Sequence, residues 1–227
     1  MDNLVKSFKE SIFVDSEEKI EQILDIIEEP VDVLSENPII KAVPVVKSVA
    51  LLAKSCLAIR DRILIKNLMT FIASMNDGTI EREKLEKYKK KLDNNPKILN
   101  RDLEKVLIFI ERESEQDKIK ILAQLYKSYI NENINWDEFK HYSEITNNLF
   151  IIDIGELRNL YDNKLNDNNY TPIALSRLSA IGLVNYGTEA IFDEKTENLS
   201  IGKVGEINYL GKKYYKYGVL NSGIEFN

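Results

Sequence analysis

The 227-residue chain has one cysteine, one histidine and one tryptophan, with only 5 prolines and 9 glycines. A single cysteine, Cys56, forbids an intrachain disulfide and fits a reducing compartment. It stands among Leu52, Leu57 and Ile59, where a thiol is expected to be an inert core group rather than a nucleophile. The one histidine, His141, has no cysteine nearby to complete a metal site, so neither a metal nor another cofactor is expected. Few glycines and prolines mean few chain reversals, which favours long helices over many short strands. There is no Gly-rich phosphate loop and no G-x-S-x-G elbow, and the expectation is a non-enzymatic protein. The start, MDNLVKSFKESIFVDSEE, lacks the basic opening and continuous apolar run of a secretory signal, which makes the cytoplasm the expected location.

What is present is an ordinary globular composition, 44% hydrophobic and 30% charged. A net charge of −6 argues against non-specific coating of nucleic acid. That charge is unevenly placed. Residues 1–37 carry eleven acids against three lysines, a net −8, while Pro38–Met75 carries six basic residues against Asp61, a net +5. The second stretch is the most apolar in the chain and is expected to be the centre of the core. Pro38 and Pro44 delay a regular helix, so one helix is expected from Val45 to Met75, ending at Asn76 before Asp77-Gly78. At 100° per residue, Lys47, Ser48, Lys54, Ser55, Asp61, Arg62 and Lys66 form a polar stripe about 140° wide. The remaining arc is apolar except for Arg60, Asn67 and Thr70, and must be covered by neighbouring helices or by lipid.

A bilayer span is disfavoured, because Pro38–Ile59 holds three lysines at about 2.5–3.5 kcal/mol each near a membrane centre. Lying in a membrane interface is easier, since lysines can reach water while the apolar arc buries. Lys47, Lys54, Arg60, Arg62 and Lys66 are therefore the candidate residues for contact with an anionic membrane surface or a protein partner. The preceding acids read as a solvated face or as a clamp on this basic helix.

Further along, Leu4, Phe8 and Ile12 mark a short amphipathic helix, and Asp15 with Glu18 reads as a capping box. Thr79 is expected to cap a charged helix over Ile80–Leu92, whose Lys84, Lys87, Lys89, Lys90 and Lys91 read as a solvated face. Helices then follow the Asp93–Pro96 turn, Ser114, Asn135 (boxed by Glu138) and Asp153 (boxed by Glu156). The predicted organisation is a helical bundle over 1–163, a polar linker over 164–169 and an α+β domain over 170–227. In that last part a helix opened by Thr171-Pro172 ends at Gly182. Two strands flank a turn over 194–198, and a strand end or short helix begins at Leu210.

Leu175, Leu178, Ile181, Gly182 and Leu183 before the hairpin, with Gly211 and Tyr214 after it, resemble the end of a winged-helix domain. The resemblance makes residues 170–227 a small winged-helix-like domain, so the expected fold is a mostly α protein, a multi-helix bundle followed by that domain. It also implies a possible DNA reader, a transcriptional regulator, with Ser176, Arg177 and Lys195 facing nucleic acid. Residues 170–227 carry six basic and six acidic residues, net zero, which favours a protein-contacting or structural wing. The overall layout is similar to that of the abortive-infection-alpha-like proteins of bacteria: an acidic start, an apolar basic stretch, charged helices and the LSRLSAIGLV segment. That likeness implies an interaction or effector role in phage defence or another mobile-element conflict. A structural scaffold is the remaining alternative, and the oligomeric state stays open.

Overall fold

A computed structural model describes residues 2–13, 22–23, 25–26, 29–52, 58–164, 171–193 and 198–224, with backbone only over 188–204. The Asp15–Glu18 box, Lys54, Cys56, residues 165–169 of the expected linker, Lys195 and the hairpin tip lie outside the described residues. The chain is mostly helical, with one two-stranded antiparallel sheet.

Helix α1 (Asp2–Ile12) buries Val5, Phe8 and Ile12. Two short helices follow, α2 (Val31–Glu36) and α3 (Pro38–Ala42), then α4 (Pro44–Leu52). Each proline sits at the first helical position, where its missing N–H is harmless, and each forces the residue before it out of the helical region. Val43 is accordingly extended between α3 and α4, with ψ 130°. Ser11 of α1 accepts the N–H of Val45 at 3.1 Å, satisfying a donor that the first turn of α4 leaves open.

Helix α5 spans Ile59–Met75 and is not continuous with α4. The single helix expected from Val45 to Met75 is thus corrected: Ala58 is extended, with φ −69° and ψ 163°. The Asp61 carboxylate accepts the Ala58 N–H at 2.9 Å and fixes a new helix start. The far end is as expected, with Asn76 as cap and Gly78 in the left-handed region at φ +79°.

Helix α6 (Arg82–Asn94) starts later than its sequence suggests, because Thr79 does not cap it. Its N–H and hydroxyl turn back onto Asp77 Oδ1 at 3.1 and 2.6 Å. Asn95 caps α7 (Pro96–Arg112) through Ile98 N–H. Helix α8 (Gln116–Ile130) comes next, and Asn135 and Glu138 form the expected reciprocal box on α9 (Trp136–Asn148).

The core centres on α8 rather than on Pro38–Met75. Along α8 even Lys118, Gln124, Lys127 and Ser128 are buried together with Ile119, Ile121, Leu125 and Tyr126. It packs between α5, α9 and the carboxyl-terminal turn. Thr70 of α5 meets Gln116 and Asp77 meets Lys127, so α5 and α8 run side by side in the same direction. Tyr126 lies at the middle, its ring within 6.1 Å of Phe71, Tyr88, Tyr129 and Phe139.

A 3₁₀ turn (Ile151–Asp153) leads into α10 (Ile154–Tyr161). Asp153 and Glu156 do not cap it as expected. Both carboxylates are drawn to partners in the next segment, Asp153 to Arg177 and Glu156 to the Thr171 N–H at 2.8 Å. Helix α11 (Pro172–Ala180) ends at Gly182, φ +83°. Strand β1 (Val184–Asp193) pairs with β2 (Asn198–Ile207) so that Val184 faces Ile207 and Asp193 faces Asn198. The chain closes in α12 (Tyr209–Tyr214), capped by Asn208, and a π turn over Tyr215–Val219. Of the two forms expected from Leu210 onward it takes the helical one. This segment docks on the bundle: Thr146 and Tyr214 hydroxyls meet at 3.0 Å, and Ser128 Oγ donates to the Tyr217 carbonyl at 2.8 Å.

Candidate functional site

The wide apolar arc of α5 is spent in the core. Ile65, Leu68, Met69 and Ile72 are wholly buried. What stays outside includes the last residues of α4 and the first of α5. Leu51 and Leu52 at the end of α4 are 78% and 69% exposed, and Ile59 at the start of α5 is 75% exposed. Three large aliphatic side chains so close in sequence and so exposed are unlike the isolated surface leucine that needs no explanation.

The predicted basic stripe divides. Lys47 is exposed on α4, and Arg60 is exposed on α5, where it pairs with Glu111. Arg62 pairs with Asp32, and the Lys66 ammonium donates to the Glu29 carbonyl at 3.2 Å. Lys41 pairs with Glu36 at 2.5 Å, and the Lys41 hydrogen bond holds the Glu36 carboxyl below its ordinary value. Part of the acidic segment therefore lies against part of the basic one. Lys47 lies one helical turn before Leu51 and Arg60 follows Ile59, whereas Arg62 and Lys66 are engaged by Asp32 and Glu29.

Of the residues considered for nucleic acid, Ser176 and Arg177 are described, and Lys195 lies outside the described residues. Ser176 is exposed on α11. Arg177 turns to Asp153, itself 2% exposed: Arg177 Nε donates to Asp153 Oδ2 at 2.7 Å and Nη2 to Oδ1. The guanidinium also stacks over Phe150, 5.0 Å from the ring centre, and the Asp153 hydrogen bonds raise its pKa.

Two polar clusters escape sequence reading. In the first, wholly buried Asp102 accepts the Tyr88 hydroxyl at 3.0 Å, the Tyr129 hydroxyl at 3.1 Å and Arg101 Nε at 2.7 Å. Tyr88 and Tyr126 hydroxyls meet at 2.7 Å. Burial, then the neighbouring Tyr126 and Asp102, push the Tyr88 hydroxyl far above its usual range. A signal existed, since Asp102 falls on the Leu99, Leu103, Val106 face of an amphipathic helix, where an acid has to find partners.

In the second cluster, buried Lys127 pairs with Asp77. Burial lowers the Lys127 pKa in spite of that partner. Burial raises Asp77, but hydrogen bonds from Lys127 and Thr79 more than reverse it and leave the carboxyl below its ordinary value. The two directions are compatible. The ammonium is 2% exposed and the carboxylate 38%, so desolvation falls mainly on the lysine.

His141 is exposed beside Tyr142, and Trp136 is half-buried, stacked on Phe139 at 5.1 Å and under Arg101 at 5.1 Å. Among the described residues no group of three or more His, Cys, Asp or Glu side chains could hold a metal ion, and no helix is long and apolar enough to cross a membrane. No family model, no curated protein and no solved structure matches the chain.

Proposed function

We propose that this is a non-enzymatic interaction protein of the cytoplasm that touches an anionic membrane surface through the tip formed by Leu51, Leu52 and Ile59. The observation that carries the reading is the exposure of these three side chains, between 69% and 78%, at the end of α4 and the start of α5. Burying each in an apolar phase is worth about 1.5–3 kcal/mol if complete, so the three, already about a quarter covered, together supply roughly 3–7 kcal/mol. Lys47 and Arg60 add about 1 kcal/mol each near an anionic surface. The total suits reversible attachment, comparable to that of a single acyl chain. The setting we propose, phage defence or another mobile-element conflict, rests on the sequence layout alone.

The order of α11, left-handed Gly182 and antiparallel hairpin supports a winged-helix-like reading of the carboxyl end, although the segment that would close the wing is helical. We extend the proposal to a wing that contacts protein rather than DNA, because Arg177, the one basic side chain of α11, is held by Asp153.

Co-sedimentation with phosphatidylglycerol vesicles tests the proposal. The wild-type chain should pellet with them, Leu51→Ser/Leu52→Ser/Ile59→Ser should stay in the supernatant, and Lys47→Glu/Arg60→Glu should bind more weakly and only at low salt. Equal sedimentation of all three proteins, or of none, would refute it.

A further inference from the structure

Away from the tip, a cleft of about 410 Å³ opens between α5, α8 and the segment Asn221–Gly223. Its wall includes Lys66, Thr70, Ser74, Gln116, Lys120 and Asn221, with Asp77 at one end. The charge of that wall is one-sided. Its one carboxylate is engaged: Asp77 Oδ1 takes the Thr79 N–H and hydroxyl, and Asp77 Oδ2 takes Lys127. Gln116 is locked as well, its Nε2 donating to Asn67 Oδ1 at 2.7 Å and its Oε1 accepting from Thr70. Several donors are left over. Lys66 gives one bond to the Glu29 carbonyl and, among the described residues, has no carboxylate within ion-pair distance. Lys120 is paired with Asp117 at 3.1 Å and lines the cleft, its ammonium having further N–H groups to offer there. Neither the Ser74 hydroxyl nor the Asn221 amide has a partner among the described residues.

Two ammonium groups and two neutral donors around a concavity whose one carboxylate is engaged describe a receptor for a compact, multiply charged oxyanion. The volume suits a small molecule carrying such a group, not a bare ion. We propose that this cleft binds the phosphate monoester of a small molecule, with Lys66 and Lys120 meeting its charge and Ser74 and Asn221 its remaining oxygens. Lysine acts here as a mobile point charge, so recognition is of charge and oxygen count rather than of a fixed planar fork.

The test is calorimetric titration of the full chain with glycerol 3-phosphate, beside glycerol at matched ionic strength. The wild-type protein should bind the phosphate and not glycerol, more weakly as salt rises. Lys66→Gln and Lys120→Gln should each weaken binding about tenfold, the double variant should abolish it, and Ser74→Ala should cost a few-fold. Circular dichroism of each variant verifies folding, which the partial exposure of both lysines favours. A parallel arm uses phosphatidic acid vesicles with the tip substitutions as background, so that this proposal and the membrane proposal fail separately. Binding of the free probe that the double variant loses establishes a soluble ligand. Capture of vesicles alone, lost in the same variant, keeps the anion site and assigns its phosphate to a lipid headgroup. Binding to neither, or binding indifferent to Lys66 and Lys120, overturns the inference.

Discussion

Replacing Asp102 by asparagine preserves its shape and removes only its charge and one acceptor. Asp102 Oδ2 holds the Tyr88 and Tyr129 hydroxyls, and Oδ1 holds Arg101, all at a side chain with no solvent exposure. An asparagine can keep its oxygen toward the two hydroxyls, which then turns its NH2 group toward the guanidinium. The two remaining bonds fall from charge-assisted to neutral strength, a loss of about 0.5–1 kcal/mol each. The Arg101 contact becomes donor against donor. Because that arginine side chain is 50% exposed it can turn to water, which limits this part to about 1 kcal/mol. The sum is about 2–3 kcal/mol, or roughly 4–12 °C in Tm for a chain of this length. Urea unfolding followed by Trp136 fluorescence and far-ultraviolet circular dichroism measures it, since Trp136 is the only tryptophan and stacks directly on Arg101. Arg101→Met should cost only about 1 kcal/mol. An Asp102→Asn protein within about 0.5 kcal/mol of wild type, or an arginine variant equally damaged, would refute the view that the buried carboxylate organises this cluster.

Other outcomes can be stated briefly. A Cβ at Gly211 would lie 2.1 Å from the Leu183 carbonyl oxygen, whereas at Gly218 it would meet side chains alone, Leu125 at 2.9 Å and Ile121 at 3.4 Å. Gly211→Ala should therefore destabilise by about 3 kcal/mol and Gly218→Ala by clearly less, as read by thermal unfolding. Asp77→Asn strands the buried Lys127 ammonium and should cost about 2 kcal/mol after allowance for the exposure of the carboxylate, with Asp77→Asn/Lys127→Met recovering most of it. Hydrogen bonds from Lys84 and Lys87 depress the Glu132 carboxyl from 4.5 to about 2. A depressed acid stabilises the fold above its ordinary value, and that contribution disappears as pH falls from about 4.5 toward about 2. Carboxyl NMR should show this midpoint, and Lys84→Gln/Lys87→Gln should return it toward the ordinary value.

Local punctuation was legible in the sequence wherever its partners are local. The Asn135–Glu138 box, the proline opening α11, and left-handed Gly78 and Gly182 all act within a few residues of themselves. Misreadings arose where a distant partner won. Asp153 and Glu156 have the spacing of a capping box, yet Arg177 and the Thr171 N–H claim them across the fold. The break at Ala58 had no visible mark, because alanine is the best helix former and the break is made by Asp61 bonding backward. The central place of α8 was not legible, because its lysines and glutamine lower its mean hydropathy, although Asp77 and Glu113 draw Lys127 and Lys118 into the interior. Of the tip, the apolar and basic residue types were legible in the sequence. Their exposure was not, since it follows from the split between α4 and α5.

The central claim is that Leu51, Leu52 and Ile59 enter a membrane surface. Its most direct measurement is a polarity-sensitive fluorophore on Leu51→Cys in a Cys56→Ser background, with Lys90→Cys on α6 as the control position. On adding phosphatidylglycerol vesicles, the label at 51 should shift to the blue and become shielded from aqueous quencher, while the label at 90 stays unchanged. No shift at 51, or the same shift at both positions, would contradict the account.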